Sequence, residues 1–165
     1  FHFRNMLIMQ ETIKFLDPRG NLVGDPMYDL AKLYHTIVCK YDLIHADLYG
    51  VTAHLDAAPV SVESVPPPAD SPLWQRYQYL EDEFDTVVAA TYGNSLYRQE
   101  DPYWYERMLL TAGKIMTGIP IYHLKHDGKE ERAIALYVQG IKVLNDVYSR
   151  FYPESGSVRS LERSA

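Results

Sequence analysis

Several things are scarce in this chain, and each shortage closes off a class of protein. It holds one cysteine, Cys39, in 165 residues. An internal disulfide framework is therefore excluded, and a reducing, cytoplasmic setting is expected. No apolar run approaches the roughly 18 to 20 residues a membrane-spanning helix needs. The longest candidates, such as Met6-Leu7-Ile8-Met9, have the length of a buried strand. Positive charge is also short: 16 Lys and Arg against 22 Asp and Glu leave a net charge of −6. That balance argues against a nucleic-acid backbone as partner. An acidic chain can still hold phosphates, but it must use a local device or a metal ion. The opening residues, Phe1-His2-Phe3-Arg4-Asn5, match neither a signal peptide nor a transit peptide. They also lack an initiator Met, so an upstream segment is expected.

What is present is the composition of an ordinary globular protein, 47% hydrophobic and 23% charged. The length suits one domain, or one lobe of a larger one. Two short apolar runs, residues 6–9 and 13–17, flank Gln10-Glu11-Thr12 and predict a β-hairpin with a three-residue turn. Gly24-Asp25-Pro26 then opens the clearest helix, with Asp25 as N-cap and Pro26 as first helical residue. Leu30, Leu33, Tyr34, Ile37 and Val38 give it one apolar face, running to about Lys40. Residues 41–62 leave one strand, two strands or an irregular excursion open. The proline-rich stretch 65–72 reads as a stiff connector. Three helices follow: Leu73 to Ala90, one starting after Asp101-Pro102, and Gly128 to Phe151. The first should bury Trp74, Tyr77, Leu80, Phe84, Val87 and Val88. The second should bury Trp104, Met108, Leu109 and Ile115, and the third Ile134, Leu136, Val138, Ile141, Leu144, Val147 and Tyr148. The expected fold is therefore α+β and mostly helical, a single domain. Its parts are a hairpin in residues 1–20, a helical body over 25–152, and a tail over 153–165.

Asn5 and Asp17 carry the most chemistry. A three-residue turn would set them side by side at the open end of the hairpin. An amide oxygen beside a carboxylate is a hard donor set, suited to Mg²⁺ rather than zinc. Either residue alone reads more readily as turn or strand-end chemistry. Three segments bear on the choice: Phe1–Ile8, Ile13–Asp17, and Gly24-Asp25-Pro26-Met27-Tyr28-Asp29-Leu30-Ala31. Together they resemble the aminoglycoside and choline phosphotransferase family. That family's signature is His-Gly-Asp, four residues, Asn, a hairpin ending in Asp, then Gly-Asp-Pro-x-x-Asp-Leu-Ala.

The resemblance closely covers about the first 31 residues. It implies a protein-kinase-like C-terminal lobe, with a catalytic-loop hairpin packed on a helical bundle. It implies ATP and Mg²⁺ as cofactors and a small-molecule hydroxyl, on a sugar, amino alcohol or aminoglycoside-like compound, as phosphoryl acceptor. Asn5 and Asp17 would hold the metal, while Asp25 and Asp29 would brace the loop from behind. The family's catalytic Asp falls one position before Phe1, and its N-terminal lobe lies upstream as well. The implied protein is a small-molecule kinase of which this chain is the C-terminal portion; the alternative is a pseudokinase-like binding or scaffold protein.

Other residues have competing roles. His2 and Arg19 are substrate- or phosphate-contact candidates, and a structural salt bridge is the other role for Arg19. His35 is either a half-buried structural residue facing the acceptor cleft or a contact residue. His123 and His126 could suggest a metal, but two histidines with no acidic or cysteine complement in a defined geometry make a weak zinc site. Cys39 reads as a small core residue. Among 14 tyrosines, Tyr77, Tyr79, Tyr92, Tyr97, Tyr103 and Tyr105 cluster with Trp74 and Trp104. Helix packing is the simpler account, and an aromatic acceptor cleft the other. Glu81, Asp82, Glu83 and Asp85 read as a solvated helix face.

Overall fold

The computed structural model describes residues 3–16, 24–54, 56, 61–92 and 101–153. A short 3₁₀ turn, Phe3–Asn5, leads into strands β1 (Met6–Met9) and β2 (Thr12–Phe15). Helices α1 (Met27–Ile37) and α2 (Tyr41–His45) follow, then a second hairpin, β3 (Gly50–His54) and β4 (Ser61–Val65). The remainder is helical: α3 (Pro72–Tyr92), α4 (Trp104–Gly118), α5 (Pro120–Tyr122), a π-helical turn (His123–Asp127) and α6 (Glu130–Phe151). The mostly helical α+β character expected from the sequence is present, with two separate antiparallel hairpins. Among the described residues, no helix is long and apolar enough to cross a membrane.

The body is organised around α4, which packs along both α1 and α6. Its buried residues, Met108, Leu109, Ala112, Gly113 and Met116, recur at helical spacing and form a broad stripe. Full burial of side chains such as Met108, Leu109, Met116 and Leu136 stabilises the body by about 1.5–3 kcal/mol each. The α4–α6 crossing is tight because each helix offers a glycine at the contact. A Cβ on Gly113 would stand 2.6 Å from Leu144 Cδ2, and one on Gly140 would stand 2.9 Å from the Thr117 backbone nitrogen. Small residues therefore occupy much of the α6 seam: Ala133, Ala135 and Gly140 are buried there with Leu136, Gln139, Val143 and Val147. The apolar periodicity misplaced part of this face, since Ile134 and Tyr148 are exposed. Val87 on α3 is exposed too, whereas Tyr77, Phe84 and Val88 are buried.

Between α1 and α2 the chain turns at Lys40, whose backbone is left-handed (φ 60°). Its side chain is only 4% exposed and forms an ion pair with Glu81 of α3. The ammonium also lies 5.3 Å from the Trp74 ring centre and 5.9 Å from that of Tyr77. Such an ion over aromatic faces keeps a favourable field after losing water. Burial pushes the Tyr77 hydroxyl up to about 12, with Asp42 adding to the effect. Thus Glu81 is not part of a purely solvated face. Asp85 is engaged as well, accepting a 2.7 Å hydrogen bond from the Tyr105 hydroxyl.

The first hairpin departs from expectation in two ways. Its turn has two residues rather than three, with Gln10 at φ 50°. Left-handed geometry at a two-residue turn matches the strands' natural twist, which favours this tighter closure. Secondly, the strands stand off the bundle instead of packing on it. Leu7, Ile8, Met9, Ile13, Phe15 and Leu16 are all exposed. Strands apolar on both faces call for cover on both sides, and among the described residues these side chains are left largely open. The preceding Phe3 is the anchor, packing against the core with its ring 6.4 Å from that of Tyr77.

Candidate functional site

Asn5 stands at the open end of the first hairpin. Asn5 ends the 3₁₀ turn, half-buried, and its carbonyl accepts a 2.7 Å hydrogen bond from the Leu16 N–H. The strand register pairs Met6 with Phe15, so its continuation sets Leu16 across from Asn5. The two-residue turn thus shifts the alignment by one position from the expected Asn5–Asp17 pairing. Asp17 lies outside the described residues, as do His2 and Arg19.

Asp25 starts helix α1. Its Oδ1 accepts a 2.9 Å hydrogen bond from the Met27 N–H, satisfying one of the free donors of the first turn. The other carboxylate oxygen pairs with Arg107 at 3.2 Å, and Arg107 also reaches Asp101 at 2.6 Å. The starts of α1 and α4 are thereby clasped together. Asp29 sits exposed in the first turn of α1, where its charge suits the helix dipole. His35 is fully buried rather than half-buried. It stacks on Tyr41 with ring centres 4.5 Å apart, and its Nδ1 faces the Lys32 carbonyl. That packing places it in the interior, away from any solvent-facing cleft.

No family model matches this chain, and no curated protein or solved structure matches it significantly. The residues and their geometry therefore carry the functional argument.

Three arrangements were not legible in the sequence. The suspected histidine pair does not form: His126 is exposed against Tyr122, while His123 is buried beside His45 and Asp127. The carboxylate that completes this group lies four residues after His123, and the other histidine is far away in sequence. Only a fold that brings α2 to the π-helical turn unites them. The aromatic cluster likewise divides into local contacts. Trp74 meets Tyr49, Tyr92 stacks on Trp104, and Tyr103 meets Phe151. Tyr97 lies outside the described residues. The third arrangement is an open cleft of about 640 Å³ lined mainly by α1 and α4 residues, among them Tyr28, Lys32, Thr111, Lys114 and Tyr122. Two lysines give it a positive lining in an otherwise acidic chain. Cys39 is buried as expected, and burial pushes its thiol well above its ordinary range.

Proposed function

We propose that this chain is the C-terminal lobe of an ATP- and Mg²⁺-dependent phosphotransferase that acts on a hydroxyl of a small molecule. The supporting observation is the short hairpin Met6–Phe15, whose Leu16–Asn5 bond holds Asn5 at its open end. It is followed by a helix whose first turn is started by Asp25. In this reading Asn5 and Asp17 present oxygen ligands, and Asp25 and Asp29 fix the chain behind them. Bound Mg²⁺ would neutralise charge on the transferring phosphates. The protein's own work is positioning: it holds two oxygen donors in a fixed relation and orients the acceptor hydroxyl toward the nucleotide. His2 and Arg19 are the contact candidates, Arg19 as a bidentate donor to phosphate.

The test is Asp17→Ala in the protein with its upstream lobe, assayed for transfer from γ-labelled ATP to a panel of hydroxyl acceptors. Loss of Mg²⁺-dependent turnover by on the order of 10²–10³, with the circular dichroism unchanged, is the expected result. Near-normal turnover in this variant refutes the assignment. Absence of transfer by the wild type, whatever the acceptor, points instead to a lobe that binds without catalysing.

A further inference from the structure

Away from the hairpin, a second set of metal-ligating side chains converges. His45 ends α2, His123 begins the π-helical turn and Asp127 closes it. One ligand atom from each lies within 4.8 Å of the other two. The rings of His45 and His123 stand edge to face, 5.2 Å apart.

His123 is the informative member. It is 1% exposed, and its Nδ1 is 2.6 Å from Asp127 Oδ2. An ionised carboxylate only accepts, so Nδ1 carries a proton, and in the neutral ring Nε2 is left with its lone pair. That Nε2 is buried and has no hydrogen-bond partner. A buried acceptor in this state is rare and calls for an explanation, of which a bound ion is one. A carboxylate on one ring nitrogen, with the lone pair of the other turned away, is also how metal-binding histidines are oriented. The backbone here is a π-helical turn ended by Gly128 at φ 61°, a local irregularity often found at functional sites.

The surrounding charges permit a cation. Arg132 comes within 3.5 Å of Asp127, but its guanidinium is held by Asp47 at 2.9 and 3.2 Å. Lys129 also turns to Asp47, at 3.4 Å.

We propose that His45 and His123 bind one divalent transition-metal ion of the zinc class, with Asp127 holding His123 in its ligating form. Two imidazoles select such an ion over Mg²⁺. Bonds of about 2.0–2.1 Å bring tetrahedral ligand atoms to roughly 3.4 Å from one another, so closing the site takes side-chain movement. Solvent completes the shell. The ion would cross-link α2 to the turn that launches α6. This site is separate from the phosphotransferase reading and does not depend on it.

The experiment strips the 165-residue chain with EDTA and titrates it calorimetrically with Zn²⁺. Co²⁺ absorption reports the coordination geometry, and Mg²⁺ is the control. One Zn²⁺ per chain, a rising melting temperature and a cobalt spectrum with nitrogen ligation are expected. His45→Ala should abolish the binding, and because His45 is only half-buried this variant tests the site even where a His123 variant fails to fold. Asp127→Ala should weaken binding about 10–100-fold, with Asp127→Glu restoring part of it. His126→Ala should change nothing. Binding that survives His45→Ala, that vanishes in His126→Ala, or that Mg²⁺ matches overturns the proposal, as does no binding at all.

Discussion

Replacing Gly140 by alanine tests the close approach of α4 and α6. The new Cβ would stand 2.8 Å from Thr117 Cγ2, 2.9 Å from the Thr117 backbone nitrogen and 3.0 Å from Met116 Cβ. Two of these atoms are fixed by the α4 backbone, so no side-chain rotation relieves the contact. The helices must instead separate, by roughly half an ångström, and loosen the seam around Met116 and Leu136. Overpacking of this kind costs about 1–3 kcal/mol. Alanine in place of glycine returns about 1 kcal/mol of helix propensity. The net expectation is a loss of up to about 2 kcal/mol. Gly113→Ala provides the comparison. Its Cβ would meet Leu144 Cδ2 and Cγ, at 2.6 and 2.7 Å, atoms of a side chain that can move. Clash and propensity should then nearly cancel. Gly118→Ala meets nothing within 4 Å and should stabilise by up to about 1 kcal/mol. Urea unfolding followed at 222 nm gives the three midpoints, with the G118A variant highest and G140A lowest. A G140A midpoint at or above that of the wild type would refute the packing account.

Two further outcomes can be measured in the same way. Glu81→Ala strands the buried Lys40 ammonium; the full cost of breaking a buried pair is reduced here because Glu81 is 40% exposed, leaving a loss of about 1–2 kcal/mol. An unchanged urea midpoint would show that the pair contributes nothing. Asp47 is held below the ordinary carboxylate range, chiefly by its hydrogen bond from Arg132 and then by Lys129. Its stabilising contribution is complete above the unfolded value, about 3.9, and is lost as pH falls through the lower folded value. Arg132→Ala should therefore flatten the acid limb of the stability profile below pH 4. A limb as steep as the wild type's would place the titration elsewhere.

The sequence was most readable where one local rule decided the structure. The Asp25-Pro26 start of α1, the Asp101-Pro102 start of α4 and the apolar runs of the first hairpin each follow from neighbours within a few residues. Even there the turn length slipped by one, because Gln10 accepts a left-handed backbone without being glycine or asparagine. The α6 face was harder. Periodicity ranks large apolar residues as buried, but a close helix crossing selects small ones, so Ala133, Ala135 and Gly140 replace Ile134 and Tyr148 at the seam. The short helix Tyr41–His45 and the hairpin that follows had no strong pattern of their own. They take their form from packing against α6. The Asn5–Asp17 spacing rested on a three-residue turn, and the observed turn is one residue shorter, whereas the His45–His123–Asp127 group joins elements that only the fold brings together.

Lys40 imposes an unusual demand on substitution. The position needs a residue that tolerates φ 60°, carries a positive charge for Glu81, and lays a long stem beside Trp74 and Tyr77. Glycine meets the first demand alone, methionine only the last, and arginine brings a planar group too wide for a compact ammonium's place. Drift at this position is thus coupled to drift at 81: a descendant that loses the acid should lose the lysine soon after, and the reverse. A library randomised at both positions and selected for folding would record that history in miniature, as paired survivors with few singles.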